Sequence, residues 1–236
     1  DYYHNITKGI IQSVGLTPSS GVQLPSDINI ADVLNRGIEI QAGYNHSFGK
    51  LNFSATGNVS TVHNEILSLI NHTALRGNTY SLEEGYPIGF LYGYKVGGIF
   101  QSQKDIDDWN LSHHDNLSTQ QAPGDIYFQD LYGEPTPGST AHNLTKDSAI
   151  DANDQTYLGK TIPGYTYGFT LSANYMGFDV SVFFYGVGDV QKYNFMRAAG
   201  ESMSANVRNQ FTSVLNAWTP DNASTAMPSA VWIDPN

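Results

Sequence analysis

Six oxygen-bearing side chains crowd one stretch of the chain: Asp125, Asp130 and Glu134, then Asp151, Asn153 and Asp154. Calcium takes several oxygen ligands from a flexible loop, so this is the set with which the sequence could do metal chemistry. The insertion Pro135–Ala149 parts its two halves, and solvated loop carboxylates with turn caps are the competing reading. The histidines, His4, His46, His63, His72, His113, His114 and His142, are scattered, and none forms the H-E-x-x-H pair that holds zinc on a helix face. Neither a G-x-S-x-G elbow nor a G-x-x-x-x-G-K-[ST] phosphate loop is present, so catalysis has no residue to stand on and the chain reads as a non-enzyme.

A second set could bind rather than react. Tyr92, Tyr94, Trp109, Tyr127, Tyr132 and Trp232, with Tyr86 and Phe90, lie in long connecting stretches. An aromatic plate with a polar edge can stack on a sugar ring or pack against another protein, or it can simply hold a long loop together.

The elements that must position these residues announce themselves by a period of two. Tyr165, Tyr167, Phe169, Leu171, Ala173 and Tyr175 alternate with Thr166, Gly168, Thr170, Ser172 and Asn174. After Met176-Gly177 the alternation resumes with Phe178, Val180, Val182 and Phe184 against Asp179 and Ser181, which predicts a hairpin with one apolar face. A second hairpin runs from Ile38, Ile40, Ala42 and Tyr44 through the turn at Phe48-Gly49-Lys50 to Leu51, Phe53, Ala55, Gly57 and Val59. Its polar face is Asn, Gln, Ser and Thr, almost without charge. Asp1–Thr7 reads as the end of a strand and Lys8–Asn35 as a long loop.

Strands of about 9 to 12 residues, tight turns at one end and long connections at the other are the pattern of an antiparallel transmembrane β-barrel. A soluble sandwich also alternates, but with shorter strands and a Lys/Glu-rich exposed face. Only 14% of residues are charged, against the roughly 25% of soluble domains, and Gly and Tyr are plentiful, at 23 and 15. The net charge of -11 argues against nucleic acid, which needs clustered Lys and Arg. The absence of cysteine excludes disulfides and thiolate zinc sites.

Parity refines the layout. If the strands from Gly37, Leu51, Tyr165 and Phe178 alternate down and up, everything from Val62 to Gly164 returns on the outer side. Leu91–Phe100 is then an extended piece inside that excursion. Phe195, Met196, Ala199, Met203, Val207, Phe211, Val214, Leu215 and Trp218, spaced by three and four and ended by Pro220, predict an amphipathic helix in an outer loop. Four spans and part of a fifth cannot close even the smallest barrel of about eight strands, so the expectation is a piece of a longer chain.

Five motifs, in order, resemble the SusC/RagA-like TonB-dependent transporters of Bacteroidetes outer membranes. They are NRGIEIQAGY (35–44), EGYPIGFLYGYKVGGIFQS (84–102), GDIYFQD (124–130), IDANDQTYLGKTIPGYTYGFTLSANYMGFDVSVFFYGV (150–187) and WTPDN (218–222). The resemblance implies a 22-stranded barrel with an N-terminal plug, of which residues 1–236 resemble an internal part of the C-terminal half. It places 63–160 and 188–236 in extracellular loops, the latter with a short helix. It further implies energising by TonB-ExbB-ExbD through the missing plug region, a SusD-like surface lipoprotein as a lid, and import of oligosaccharides or oligopeptides. In that family the acidic stretch often resembles a compact D-x-N-x-D-G calcium loop, from which the insertion after Glu134 departs. A soluble surface glycan-binding β-rich module and a passive porin-like barrel are the alternative functional readings.

Overall fold

In a computed structural model, residues 1–14, 26–77, 80–117, 120–135, 142–203 and 209–230 are described. The four predicted spans form in the predicted order. Strand β1 runs Tyr2–Val14, β2 Ser26–Phe48, β3 Leu51–Thr61 and β4 His63–Leu69. Short strands β5 (Leu75–Arg76), β6 (Tyr80–Leu82), β7 (Phe90–Tyr94) and β8 (Val96–Ile99) precede helix α1, Gln103–Asn110. Then come β9 (His114–Asp115), β10 (Ile126–Phe128), β11 (Ala149–Ile150), β12 (Gln155–Gly159), β13 (Tyr165–Tyr175), β14 (Phe178–Gly188) and helix α2 (Phe195–Glu201).

The long strands make one antiparallel sheet in the order β1-β2-β3-β13-β14, with β4 also paired to β2. The chain after β3 first pairs back on β2 through β4, then makes its excursion and returns as β13 beside β3. Tyr165 pairs with Thr61 at the open end and Tyr175 with Leu51 at the turn end. Both hairpins close with two-residue turns. Gly49 has φ 63, and Met176 and Gly177 have φ 50 and 88, the double positive φ that matches the right-handed twist of a hairpin.

Two compact units emerge, Asp1–Leu91 with Gly159–Lys192, and Tyr92–Leu158 with Tyr193–Asn236. In the first, β1 and β2 are longer than the sequence suggests. The expected loop Lys8–Asn35 is instead strand as far as Val14 and again from Ser26. The reason is a bulge. The register slips between Thr7 and Ile10, Gly9 takes φ 65, and its N–H donates to Asp32 Oδ1 at 2.8 Å. Pairing resumes beyond it, which the run of Gly and polar residues conceals. Beyond Arg36 the same ribbon carries a small core in which Ile30, Ala31, Val33, Ile66 and Leu69 are buried. Asn64 ties it down by donating to Asn35 Oδ1 at 2.7 Å and accepting from the Ile88 N–H at 2.8 Å.

In the second unit, Phe100 and Ile106 are buried, and α1 starts at Ser102, whose hydroxyl accepts from the Asp105 N–H at 3.2 Å. The helix predicted across Phe195–Trp218 is not continuous. Helix α2 ends at Glu201, Met203 turns to φ 45, and Thr212–Asn216 is a separate 3-10 turn. Phe211 folds back on α2: its N–H donates to the Gly200 carbonyl at 2.8 Å, and its ring occupies the space a Gly200 Cβ would need. The apolar spacing of three and four reflects packing onto a reversal rather than one helix.

Candidate functional site

Because β13 pairs with β3 and β14 without a slip, side chains on the wall sort strictly by parity. One face carries Tyr165, Tyr167, Phe169, Leu171 and Tyr175, with Val182, Val180 and Phe178 opposite them on β14 and Val59, Phe53 and Leu51 on β3. Ile38, Ile40, Tyr44 and Phe48 extend it onto β2. Most of these residues are exposed, Phe178 at 78% and Val180 at 62%, while Leu51, Phe53 and Leu171 are half-buried. Soluble monomers rarely expose so continuous an apolar face. Eleven residues at about 3.4 Å each, tilted by about 45°, rise about 26 Å, the height of an outer-membrane apolar band.

Aromatic residues mark both edges of that band. At the turn end His46 stands between Tyr44 and Phe48, at ring separations of 6.0 and 4.3 Å. At the open end the rings of Tyr165 and Tyr167 lie over Gly188 and Gly186, where a Cβ would come within 2.1 and 2.4 Å of them. Only glycine lets the tyrosines lie flat along the neighbouring strand.

The opposite face carries Asn45 and Ser47 of β2, Asn52 and Ser54 of β3, Ser172 and Asn174 of β13, and Asp179 and Ser181 of β14 around a concavity of about 700 Å3. The side chains satisfy one another across the strands: Ser47 donates to Asn52 Oδ1 at 2.7 Å, the Ser172 and Ser181 hydroxyls lie 3.0 Å apart, and Asn174 donates to Asp179. Sequence reasoning missed one feature here. Phe183, Tyr185 and Val187 share this face, opposite Thr170, Gly168 and Thr166, so the second half of β14 is apolar on both sides. Phe183 and Tyr185 are 67% and 68% exposed, an aromatic ridge on an otherwise amide and hydroxyl wall. The continuous run V-F-F-Y-G-V was its only signal, since such runs belong to strands covered on both faces.

The loop aromatics turn largely onto one another. Tyr92 is buried. Tyr94 packs on Phe128 at 5.1 Å, and burial pushes its hydroxyl above the usual range despite the hydrogen bond with Gln155. Trp109 meets Phe100 edge-on at 5.8 Å and stacks on His113 at 4.7 Å, while Tyr127 lies 4.8 Å from Phe100. Tyr132 stacks on His142 at 4.2 Å, and its hydroxyl lies 2.9 Å from Thr156 Oγ1. Trp232 lies outside the described residues.

The acidic set is spent on backbone amides. Asp154, fully buried, accepts from Leu131 and Tyr132 through Oδ1 at 2.7 and 3.1 Å, and from Asp151 through Oδ2 at 3.0 Å. Asp151 accepts from the Asn153 N–H, Asp125 from Ala122 and Asp130 Oδ2 from Ser148. Glu134 is exposed, and its carbonyl accepts from Asn143. Asp130 Oδ1 is buried without a hydrogen bond, a single oxygen where a cation requires several. Among the described residues no three His, Asp or Glu side chains are grouped to hold a metal ion. These residues bridge the insertion by hydrogen bonding, 130–132 to 148–154.

Two curated proteins of Formosa agariphila align with nearly all of the chain: TonB-dependent receptor P3, 25% identical over 97% of it, and TonB-dependent receptor P39, 27% identical over 100%. The chain spans 22% and 23% of their lengths. No family model matches. The RagAB peptide importer superposes at a TM-score of 0.69 in its closed-closed state and 0.66 in its open-open state, each at 22% identity, over 100% and 97% of this chain and 24% and 22% of that one. Over nearly its whole length the chain is similar to part of TonB-dependent receptors, and its fold is that of a piece of the RagAB importer. Its β1-β2-β3-β13-β14 sheet is consistent with a run of adjacent staves of a barrel, apolar on one face and polar on the other.

Proposed function

We propose that this segment supplies part of the wall and outer loops of an active importer in the bacterial outer membrane. One observation carries the reading: the wall is apolar on one face and almost uncharged but polar on the other, with two-residue turns at one end and long excursions at the other. Such a wall excludes lipid from a conduit while giving a polar solute no fixed charge to stick to. The turns face the periplasm, and residues 63–160 and 188–236 form extracellular loop regions. A SusD-like surface lipoprotein closes over them, TonB-ExbB-ExbD supplies energy through the plug region, and the cargo is an oligosaccharide or an oligopeptide. Phe183 and Tyr185 give the inner wall a plate against which sugar rings or peptide side chains pack. The likeness to TonB-dependent receptors and to a peptide importer supports this reading.

The test is uptake by cells carrying the whole receptor, with and without TonB. Import that stops when TonB is removed supports the proposal. Import that continues unchanged identifies a passive pore, and a segment that is monodisperse in buffer without detergent identifies a soluble module.

A further inference from the structure

We propose that a row of three basic side chains, His4, Arg36 and His63, holds the phosphate of an outer-leaflet lipid at the rim of the apolar face; this rests on the import reading, in which that rim faces outward. The row follows from register. His4 of β1 pairs with Arg36 of β2, and Arg36 pairs in turn with His63 of β4. Directly paired residues project from the same face with Cβ atoms about 5 Å apart, so the three span about 10 Å with the guanidinium in the middle. All three are exposed.

The same register fixes which face that is. Arg36 is two residues from Ile38, so it continues the apolar face of Ile38 and Ile40. The pairing of β2 keeps one register across Val62, from Glu39 with Ser60 to Arg36 with His63, so His63 continues the face of Thr61 and Val59. His4 continues that of Tyr2, which pairs with Ile38. This edge of the band is level with Tyr165, because Thr61 pairs with Tyr165 and its Oγ1 accepts from the Ile38 N–H at 3.0 Å. The basic row therefore lies one strand repeat, about 7 Å, beyond the aromatic edge. At that depth lipid chains give way to headgroups.

The charge pattern selects the ligand. The chain carries a net charge of -11, yet this row holds no carboxylate. The next row out is Ile6, Leu34 and Glu65, and Glu65 Oε2 lies 3.0 Å from His63 Nε2, which leaves His63 Nδ1 for a ligand. Among the described residues Arg36 and His4 enter no ion pair. Glu39, one residue from Ile38, stands on the opposite face, and Asp32 accepts from the Gly9 N–H. A guanidinium donates two parallel bonds to a phosphate, and an imidazole on either side supplies a further donor to its other oxygens. Free phosphate would gain nothing from the apolar face. A lipid-borne phosphate adds acyl chains that lie on Ile38, Ile40 and Val59 below the row, all exposed.

The test uses the intact receptor, purified in detergent and stripped of bound lipid. It is titrated with diphosphoryl lipid A, with the same lipid after phosphatase treatment and with inorganic phosphate, and retained lipid is counted by native mass spectrometry. The expected result is saturable retention of diphosphoryl lipid A, weakened roughly tenfold or more by Arg36→Gln and less by Arg36→Lys, which keeps the charge but not the fork. Lys50→Gln, in the turn at the other end of the wall, should leave retention unchanged. Equal retention of the dephosphorylated lipid, unchanged retention in Arg36→Gln, or inorganic phosphate that competes at the lipid's own concentration overturns the proposal. Should Arg36→Gln lose the heat-dependent gel mobility of a folded barrel, Arg36→Lys and the double variant His4→Gln/His63→Gln decide the matter. Both must weaken retention, and unchanged retention in either overturns the proposal. Failure of the lipid titration in a receptor whose uptake needs TonB refutes this site alone. Uptake independent of TonB refutes the import reading whatever the titration gives.

Discussion

Met176 sits at φ 50 in a turn whose second residue, Gly177, is also left-handed. A non-glycine residue there costs roughly 1 kcal/mol, less for asparagine, whose short polar side chain bonds locally. Met176→Asn is therefore expected to stabilise the hairpin by about 0.5 to 1 kcal/mol, read as a shift in the urea midpoint of the refolded receptor. Glu84 makes a different prediction. Its Oε1 accepts from the Leu69 N–H at 2.6 Å and lies 2.9 Å from His72 Nδ1, and the backbone bond, then the histidine, hold its carboxyl below the ordinary 4.5. A depressed carboxylate contributes stability above its unfolded value and loses it as pH falls through the folded one. Hydrogen exchange at the Leu69 amide should be slow above about pH 4.5 and accelerate below it. In Glu84→Gln that acid-side acceleration should vanish, and its persistence would assign the protection to other groups. The turn at Met176-Gly177 was legible in the sequence, whereas the role of Glu84 was not, because its partner fifteen residues away depends on where the chain returns.

At the scale of elements, faces matter more than individual contacts. Phe169 and Thr170 are neighbours on β13 but lie on opposite faces of the wall. Phe169→Asp should destabilise the folded barrel by roughly 2 kcal/mol or more in a lipid refolding assay, and Thr170→Asp far less. Equal losses would contradict the face assignment. The two hairpins, their turns and the return of the chain beside β3 were legible because alternation over eleven residues leaves one register per face. The ribbon beyond Arg36 was not, because Gly9 and Asp32 make a bulge that breaks the alternation while preserving the pairing. Nor was the end of α2, where apolar spacing came from Phe211 packing back over Gly200. The candidate sites were read least well. The acidic cluster was visible, but its job of receiving backbone N–H groups across the insertion follows only from the fold.

For the whole molecule, the exposed apolar face and the open edges of β1 and β14 fit the proposed barrel, in which lipid covers the face and further staves pair with the edges. On the function proposed above, conduit, lid contact and energy supply belong to the complete receptor, and this segment contributes wall and loops. The central claim is which face meets lipid. The chain has no cysteine, so single spin labels at Phe169→Cys, Leu171→Cys and Val182→Cys, and at Thr170→Cys, Ser172→Cys and Ser181→Cys, report one site each within it. In the intact receptor in liposomes, the first three should collide with oxygen and be shielded from a water-soluble nickel chelate. The second three should show the reverse or be occluded from lipid-dissolved oxygen. Alternation of accessibility with a period of two along β13 is the predicted result, and uniform accessibility to the chelate on both faces would contradict the account.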